Sequence, residues 1–424
     1  MHKHKALPAL LAVLFLVGCS GTVVGETPAP SSEITPSLPP MASPVSTEPA
    51  SSPENLVLWV VPQFAPNQDT AAGAVLLERL QAFEQSHPDL TITVRIKQEQ
   101  DPGGLLETLQ AASIAAPSTL PDIVSLSPQM LEIAVQADLI LPLDDLLNPP
   151  ASPEWYDFSI DASWIRDAYF GLPFGADGEL VAYNINAFSA APFAWSDLLE
   201  GTAYFYFPAG DPQAAFTLNQ YLTQGGTLMG TRGSAALEAE TLIEVLAYYD
   251  ALHEAGVLPL IATQYTTADE TWNLFVNGQA VAALAPLRTF FDQHDPRFVS
   301  AVPLPAQTDG GSIFVETWSW AVVPHDSTRH TLAVELLEWL SDPTFLGPWT
   351  DALNLLPPTG AALAAWPDSS KASIASRLVL KAQTRPTDEI LDVFGPLLQD
   401  AINQILLGTT TPEEAAATVI QALQ

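Results

Sequence analysis

A single cysteine, Cys19, serves all 424 residues, so no internal disulfide can form. Positive charge is nearly as scarce, with 14 Lys and Arg against 48 Asp and Glu and a formal net charge of −34. A field of that sign repels nucleic acid and anionic lipid headgroups, which removes both as partners of the chain's surface. No apolar run reaches the ~20 residues needed to span a bilayer. Several chemical signatures are also missing. There is no Gly-x-Ser-x-Gly elbow, no His-Glu-x-x-His and no Asp-x-Asp-x-Asp-Gly loop. Histidines His87, His253, His294, His325 and His330 are scattered, and the closest pair, His325 and His330, has loop-like spacing without a third partner. The sequence therefore calls for no metal and no cofactor.

What is present begins with a leader. Lys3 and Lys5 precede the apolar run Ala6 to Val17, with no acidic residue, which is the layout of a secretory signal over residues 1–18. The run ends in Leu16-Val17-Gly18-Cys19, which resembles the lipobox of bacterial lipoproteins and makes Cys19 the expected lipidation site. Residues 19–54 then scatter Pro28, Pro30, Pro36, Pro39, Pro40 and further prolines among Ser, Thr and Ala. Such a segment buries too little apolar surface to fold and is expected to be a tether. At ~3 Å per residue it reaches on the order of 100 Å. An extracytoplasmic body, held at the membrane only through its lipid, is the expected arrangement.

From Asn55 onward the chain is long enough for two domains. LVLWVVP, starting at Leu56, is a continuous apolar run of strand length. A helix is expected from Asp69 to Ser86, the alternating strand LTITVRIK from Leu90, a helix from Leu105 to Ala116, the buried strand PDIVSL, and a helix from Gln129 to Ala137. GELVAYN, AYFYFP and AVAALAP continue as strands, with helices near 213–223, 234–255 and 271–277 between them. FVETWSWAVVP, from Phe314, alternates so that Glu316, Trp318 and Trp320 should share one face. Helices at 332–340 and over 388–424 close the chain. This rhythm predicts an α/β fold with a mainly parallel sheet and ligands at the carboxyl ends of its strands.

The order of LVLWVVP, PDIVSLSP, LPLDDLL, GLPFGADGELVAYN, LFVNGQAVAALAP, AVPLP, AVELLEWLSDP and LLPPTG resembles the extracellular solute-binding proteins, family 1, of ABC importers, the group that includes maltose-binding protein. That resemblance implies a periplasmic-binding-protein-like architecture of two α/β lobes with a hinge and an interlobe cleft. Lobe 1 would comprise 55–176 plus 304–359, and lobe 2 177–303 plus 360–424. Crossings would fall near Gly175–Gly178, Val302–Pro305 and Pro358–Gly360, with Gly175, Gly178 and Gly360 absorbing the hinge motion and a Gly310-Gly311 turn following the second.

A sugar site needs planar donors and acceptors with aromatic platforms nearby. The candidates are Gln63 and Phe64 after the first strand, with Phe64 alternatively packing beneath the loop. Ser127 can bond a solute or cap the helix that follows. Asp177 lies in the first crossing, where it can meet a sugar or close a turn beside Gly178. Tyr206 and Asp211 border YFYFP, Trp272 starts a helix, and Arg288 follows AVAALAP, where it can fork onto hydroxyls or pair with an anion. Glu316 and Trp318 are the cleft-edge candidates, and Trp320 is placed deeper. The resemblance implies a substrate-binding lipoprotein, not an enzyme, that captures a mono- or oligosaccharide by hinge closure, acts as a monomer and delivers its solute to ABC permease subunits. The same scaffold binding a polyamine, peptide or anion is the alternative, followed by a secreted glycan hydrolase, because paired carboxylates need not be near in sequence.

Overall fold

A computed structural model describes residues 54–423 apart from 101, 152, 201–202, 231–233 and 309–310. The leader, Cys19, nearly all of the tether and Gly310 lie outside the described residues. The strands are β1 (Glu54–Val60), β2 (Leu90–Ile96), β3 (Ile123–Leu126), β4 (Trp164–Ile165), β5 (Ala168–Tyr169), β6 (Leu172–Asn184), β7 (Phe205–Tyr206), β8 (Ala282–Pro286), β9 (Val299–Val302), β10 (Ile313–Val322) and β11 (Ala382–Thr384). Among the described residues no helix is long and apolar enough to cross a membrane.

Two separate hydrophobic cores organise these elements. The first gathers Leu56–Val61, Leu76, Leu80, Phe174, Trp318–Val323, Leu336 and Trp349 around β2-β1-β3-β10. The apolar β1 is covered on both faces, and the helix Ala71–Ser86 turns Leu76, Leu80 and Phe83 inward at helical spacing. The second core gathers Leu180–Ala182, Phe205, Tyr249, Leu284, Val302, Leu398 and Ala416 around β6, β7, β8 and β9. Burial of this kind stabilises by roughly 25 cal/mol per Å² of apolar surface, so each core is large enough to hold its own elements together.

The sheet is mixed rather than mainly parallel. β1 runs parallel to β2 and β3, and β7 to β8, as the α/β rhythm requires. β10, however, is antiparallel to β3 and β6, and β6 is antiparallel to β8 and β9. The cause is that β6 and β10 each run from one core into the other. Phe174 belongs to the first core and Ala176 to the second; Val315 belongs to the second and Trp318 to the first. A third segment touches both cores, with Leu355 and Ala362 in the first and Leu356 and Leu363 in the second, and it is tied to β6 by reciprocal bonds between Ala176 and Leu356 at 2.9 and 2.8 Å.

Val302 and Leu304 are buried in the same core as Ile313 and Val315, and β10 reaches the first core at Trp318. AVPLP is apolar because it packs in the second core, not because it travels between cores. The glycines of β6 serve close approach. A Cβ on Gly178 would stand 2.4 Å from the Phe314 carbonyl oxygen, and one on Gly175 3.1 Å from the Leu355 side chain.

Candidate functional site

Where β6 and β10 pass, the surface is concave. One cavity of about 360 Å³ is walled by Asp177, Glu179, Asp211, Asn219, Thr267 and Glu316, among others. A second, of about 440 Å³, is walled by Glu99, Ser127, Gln129, Glu132, Thr387 and Asp388. Gln213, Glu316 and Arg385 line both, so the two form one trench with Arg385 at its waist.

β6 supplies the floor. Asp177 and Glu179 are two residues apart on the strand and so project to the same face. Asp177 accepts from the Gly178 N–H at 2.8 Å and from the Arg288 N–H. Burial nevertheless pushes its carboxyl up to about 6, against the opposing pull of the Arg288 guanidinium. Glu179 is pushed up to about 7 by burial and then by the Asp211 carboxylate, with Arg385 pulling the other way. Glu99 is raised as well, by burial and by Glu316.

The rim is tied together by charge. Arg385 pairs with Asp388 at 3.0 Å and with the exposed Glu316 at 3.3 Å, and it also donates to the Gln213 side chain. Gln129 donates to Asp388 at 3.1 Å, linking a helix of the first core to the helix Asp388–Leu406 of the second. Arg288 donates to Gln63 Oε1, a second bond between elements of the two cores. Asp211 accepts from the N–H groups of Gln213 and Ala215, both at 2.9 Å, and shapes the turn before the helix Ala215–Thr223. In that turn Ala214 holds φ 45°, a left-handed conformation that a non-glycine residue adopts only where the surroundings enforce it. Asn219 beneath it is buried and accepts from Ser312 at 3.1 Å, while its amide nitrogen has no partner among the described residues.

Of the expected residues, Asp177, Asp211 and Glu316 line the first cavity and Ser127 the second. Gln63 and Arg288 meet each other beside Asp177. Ser127 also accepts from Met130 N–H, so it caps the helix Pro128–Gln136 as well. The aromatic candidates lie elsewhere. Trp320 is fully buried and stacks on Trp349 at 6.1 Å. Trp318, 6 % exposed, packs edge-on against Phe64 at 4.9 Å, and Phe64 meets Phe174 at the same distance. Trp272 is buried with its N–H on Gln293, and Tyr206 is buried against Tyr204 and Tyr265. The alternation of FVETWSWAVVP is interrupted by a register shift between Trp318 and Ser319. Because β10 changes cores at that point, one face of the strand offers solvent at Glu316 and packing at Trp318. Glu179, Gln213 and Arg385 are members that the sequence reading missed. The only local sign was Glu179 two places after Asp177; Arg385 lies about 70 residues from Glu316 with no motif connecting them.

Two α/β cores joined by three passing segments, with a polar trench at the passage, define the periplasmic-binding-protein class of fold. The chain belongs to the bacterial extracellular solute-binding protein family, whose model matches residues 78–375. That family is described as extracellular and solute-binding, and the solved relatives below are described as binding proteins. The fold is similar to a cyclic alpha-maltosyl-1,6-maltose binding protein from Arthrobacter globiformis, with a TM-score of 0.68, 18% identity, and 88% of this chain and 98% of that one covered. It is similar to the sugar-binding protein MalE from Xanthomonas citri (TM-score 0.68, 15% identity, 87% and 95% covered). The maltose-binding periplasmic protein MalE from Listeria monocytogenes, solved with maltose, gives a TM-score of 0.67 at 16% identity, with 88% and 97% covered. No curated protein sequence matches the chain.

Proposed function

We propose that this chain is the substrate-binding protein of an ABC importer, that it captures a carbohydrate in the trench between its cores, and that it does no chemistry on it. The observation that carries the reading is the trench itself. Its wall mixes carboxylates, a guanidinium, amides and the hydroxyls of Thr266 and Thr267, the donors and acceptors that a ring of hydroxyls requires. The maltose-type ligands of the structural relatives favour the same solute class. Buried indoles take no part, so polar contacts are expected to dominate the affinity.

In this reading the first-core and second-core bodies are two lobes that bend at 174–176, 315–318 and 355–356, and solute stabilises the closed form by contacting both. A monomer anchored through Cys19 would then present its closed shape to membrane permease subunits. Incubation with labelled oligosaccharides tests the function: saturable binding with the sugar recovered intact is expected. Release of shorter products at a rate that follows protein concentration would sink the binding-protein reading.

A further inference from the structure

The first cavity carries more negative charge than a neutral sugar uses. Five carboxylates line it, those of Asp177, Glu179, Asp211, Asp269 and Glu316, against one guanidinium, Arg385, among the described residues. The second compartment adds Glu99, Glu132, Asp388 and Glu389 and no further cation. An acid-rich chain spreads carboxylates over its surface, where water screens them. These differ because they crowd one cavity and oppose one another: Asp211, Asp177 and Glu316 all raise Glu179, and Glu316 raises Asp177 and Glu99.

The partners already present do not resolve this. Arg385 is engaged by Glu316, Asp388 and Gln213, and Arg288 by Gln63. Asp211 is satisfied by two backbone N–H groups, and Asp177 by two more. Glu179 is different: it lines the cavity half-buried, and no hydrogen bond or ion pair reaches its carboxylate among the described residues, while the fully buried Asn219 in the same wall has an amide nitrogen that also lacks a partner there. An inorganic cation does not fit, since no three His, Cys, Asp or Glu side chains converge as metal ligands among the described residues. The wall alternates these acids with Asn219, Gln213 and Thr267, which suits an organic ligand carrying hydroxyls as well as charge.

We propose that the solute is an amine-bearing carbohydrate whose ammonium group is received by Glu179, with Asp177 beside it, while the neutral wall takes the hydroxyls. This rests on the carbohydrate reading above. An ammonium gives Glu179 the charge-assisted hydrogen bond it lacks and offsets the mutual repulsion of the floor.

Calorimetric titration with three probes tests it: kanamycin A, an aminated three-ring sugar; maltotriose, a neutral one; and spermidine, an amine without a ring. Kanamycin A is expected to bind at least about tenfold tighter than either of the others, to weaken by about that factor in Glu179→Gln, and to weaken as salt is raised. Circular dichroism and melting of Glu179→Gln establish that the variant is folded. Maltotriose binding as well as kanamycin A, or Glu179→Gln leaving kanamycin affinity unchanged, overturns the amine while the carbohydrate reading stands. Spermidine binding with both sugars silent overturns the carbohydrate reading itself. Absence of saturable binding by kanamycin A at millimolar concentration overturns the proposal.

Discussion

Glu179 and Asp177 hold their protons more tightly in the fold than in the unfolded chain, and this has a defined sign. A carboxyl raised by folding binds more protons in the native state, so stability falls as pH rises through the interval between its unfolded and folded values. With folded values of about 7 and about 6, the unliganded protein should lose roughly 1–3 kcal/mol between about pH 5 and pH 7.5 from these two groups. Asp211, Glu316, Arg288 and Arg385 are the charged groups facing the pair, and the first two maintain the effect. Urea unfolding across that range measures it. Glu179→Gln should be more stable than the natural chain at pH 7.5 and flatten the dependence, and a steeper dependence in the variant would refute the assignment. Trp318 makes the opposite kind of prediction. Since it is packed against Phe64, Trp318→Ala should destabilise by about 3–5 kcal/mol through the cavity it leaves. Asp177 could be singled out from sequence because it lies between the glycines of GLPFGADGELVAYN, and Arg288 because it follows the apolar strand AVAALAP. The packing of Trp318 and Trp320 in the first core was not legible, because alternation reports which side of a strand a residue occupies, not which core covers that side.

Elements were legible wherever a periodic pattern runs within one environment. The helices Ala71–Ser86, Leu105–Ala115 and Ala268–Val276 lie where the spacing of apolar residues puts them. β6 and β10 were harder, because each crosses a boundary, and half of its pattern is addressed to a different core. The contact between them is close: Gly178 leaves no room for a methyl group beside the Phe314 carbonyl. Gly178→Ala is therefore expected to cost about 1–3 kcal/mol and to weaken solute binding, since it pushes apart the strands that carry Asp177 and Glu316. Chemical denaturation and titration of the same variant give both numbers. Unchanged stability would mean that the two strands are freer to separate than their pairing implies.

For the molecule as a whole, the bonds Gln63 to Arg288 and Gln129 to Asp388 each join an element of one core to an element of the other. In the double variant Gln63→Ala, Gln129→Ala the unliganded protein should have a larger radius of gyration by small-angle scattering, and saturating solute should restore the smaller value. An unchanged radius would show that these bonds do not govern the opening. The two-core plan was readable from the order of motifs. Apolar phrases such as AVPLP look alike whether they link two cores or fill one.

The threefold passage of the chain has a consequence for how the protein is made. The first core takes its strands from residues 56–126 but also needs β10 and the helices up to Leu353. The second starts at Phe158 and Ala176 but is closed by the helices that end at Leu406 and Ala422. Neither core can be completed until most of the polypeptide has been synthesised. A nascent chain that stays unfolded until late remains threadable through an export channel, and its final collapse depends on contacts hundreds of residues apart, which makes that collapse slow.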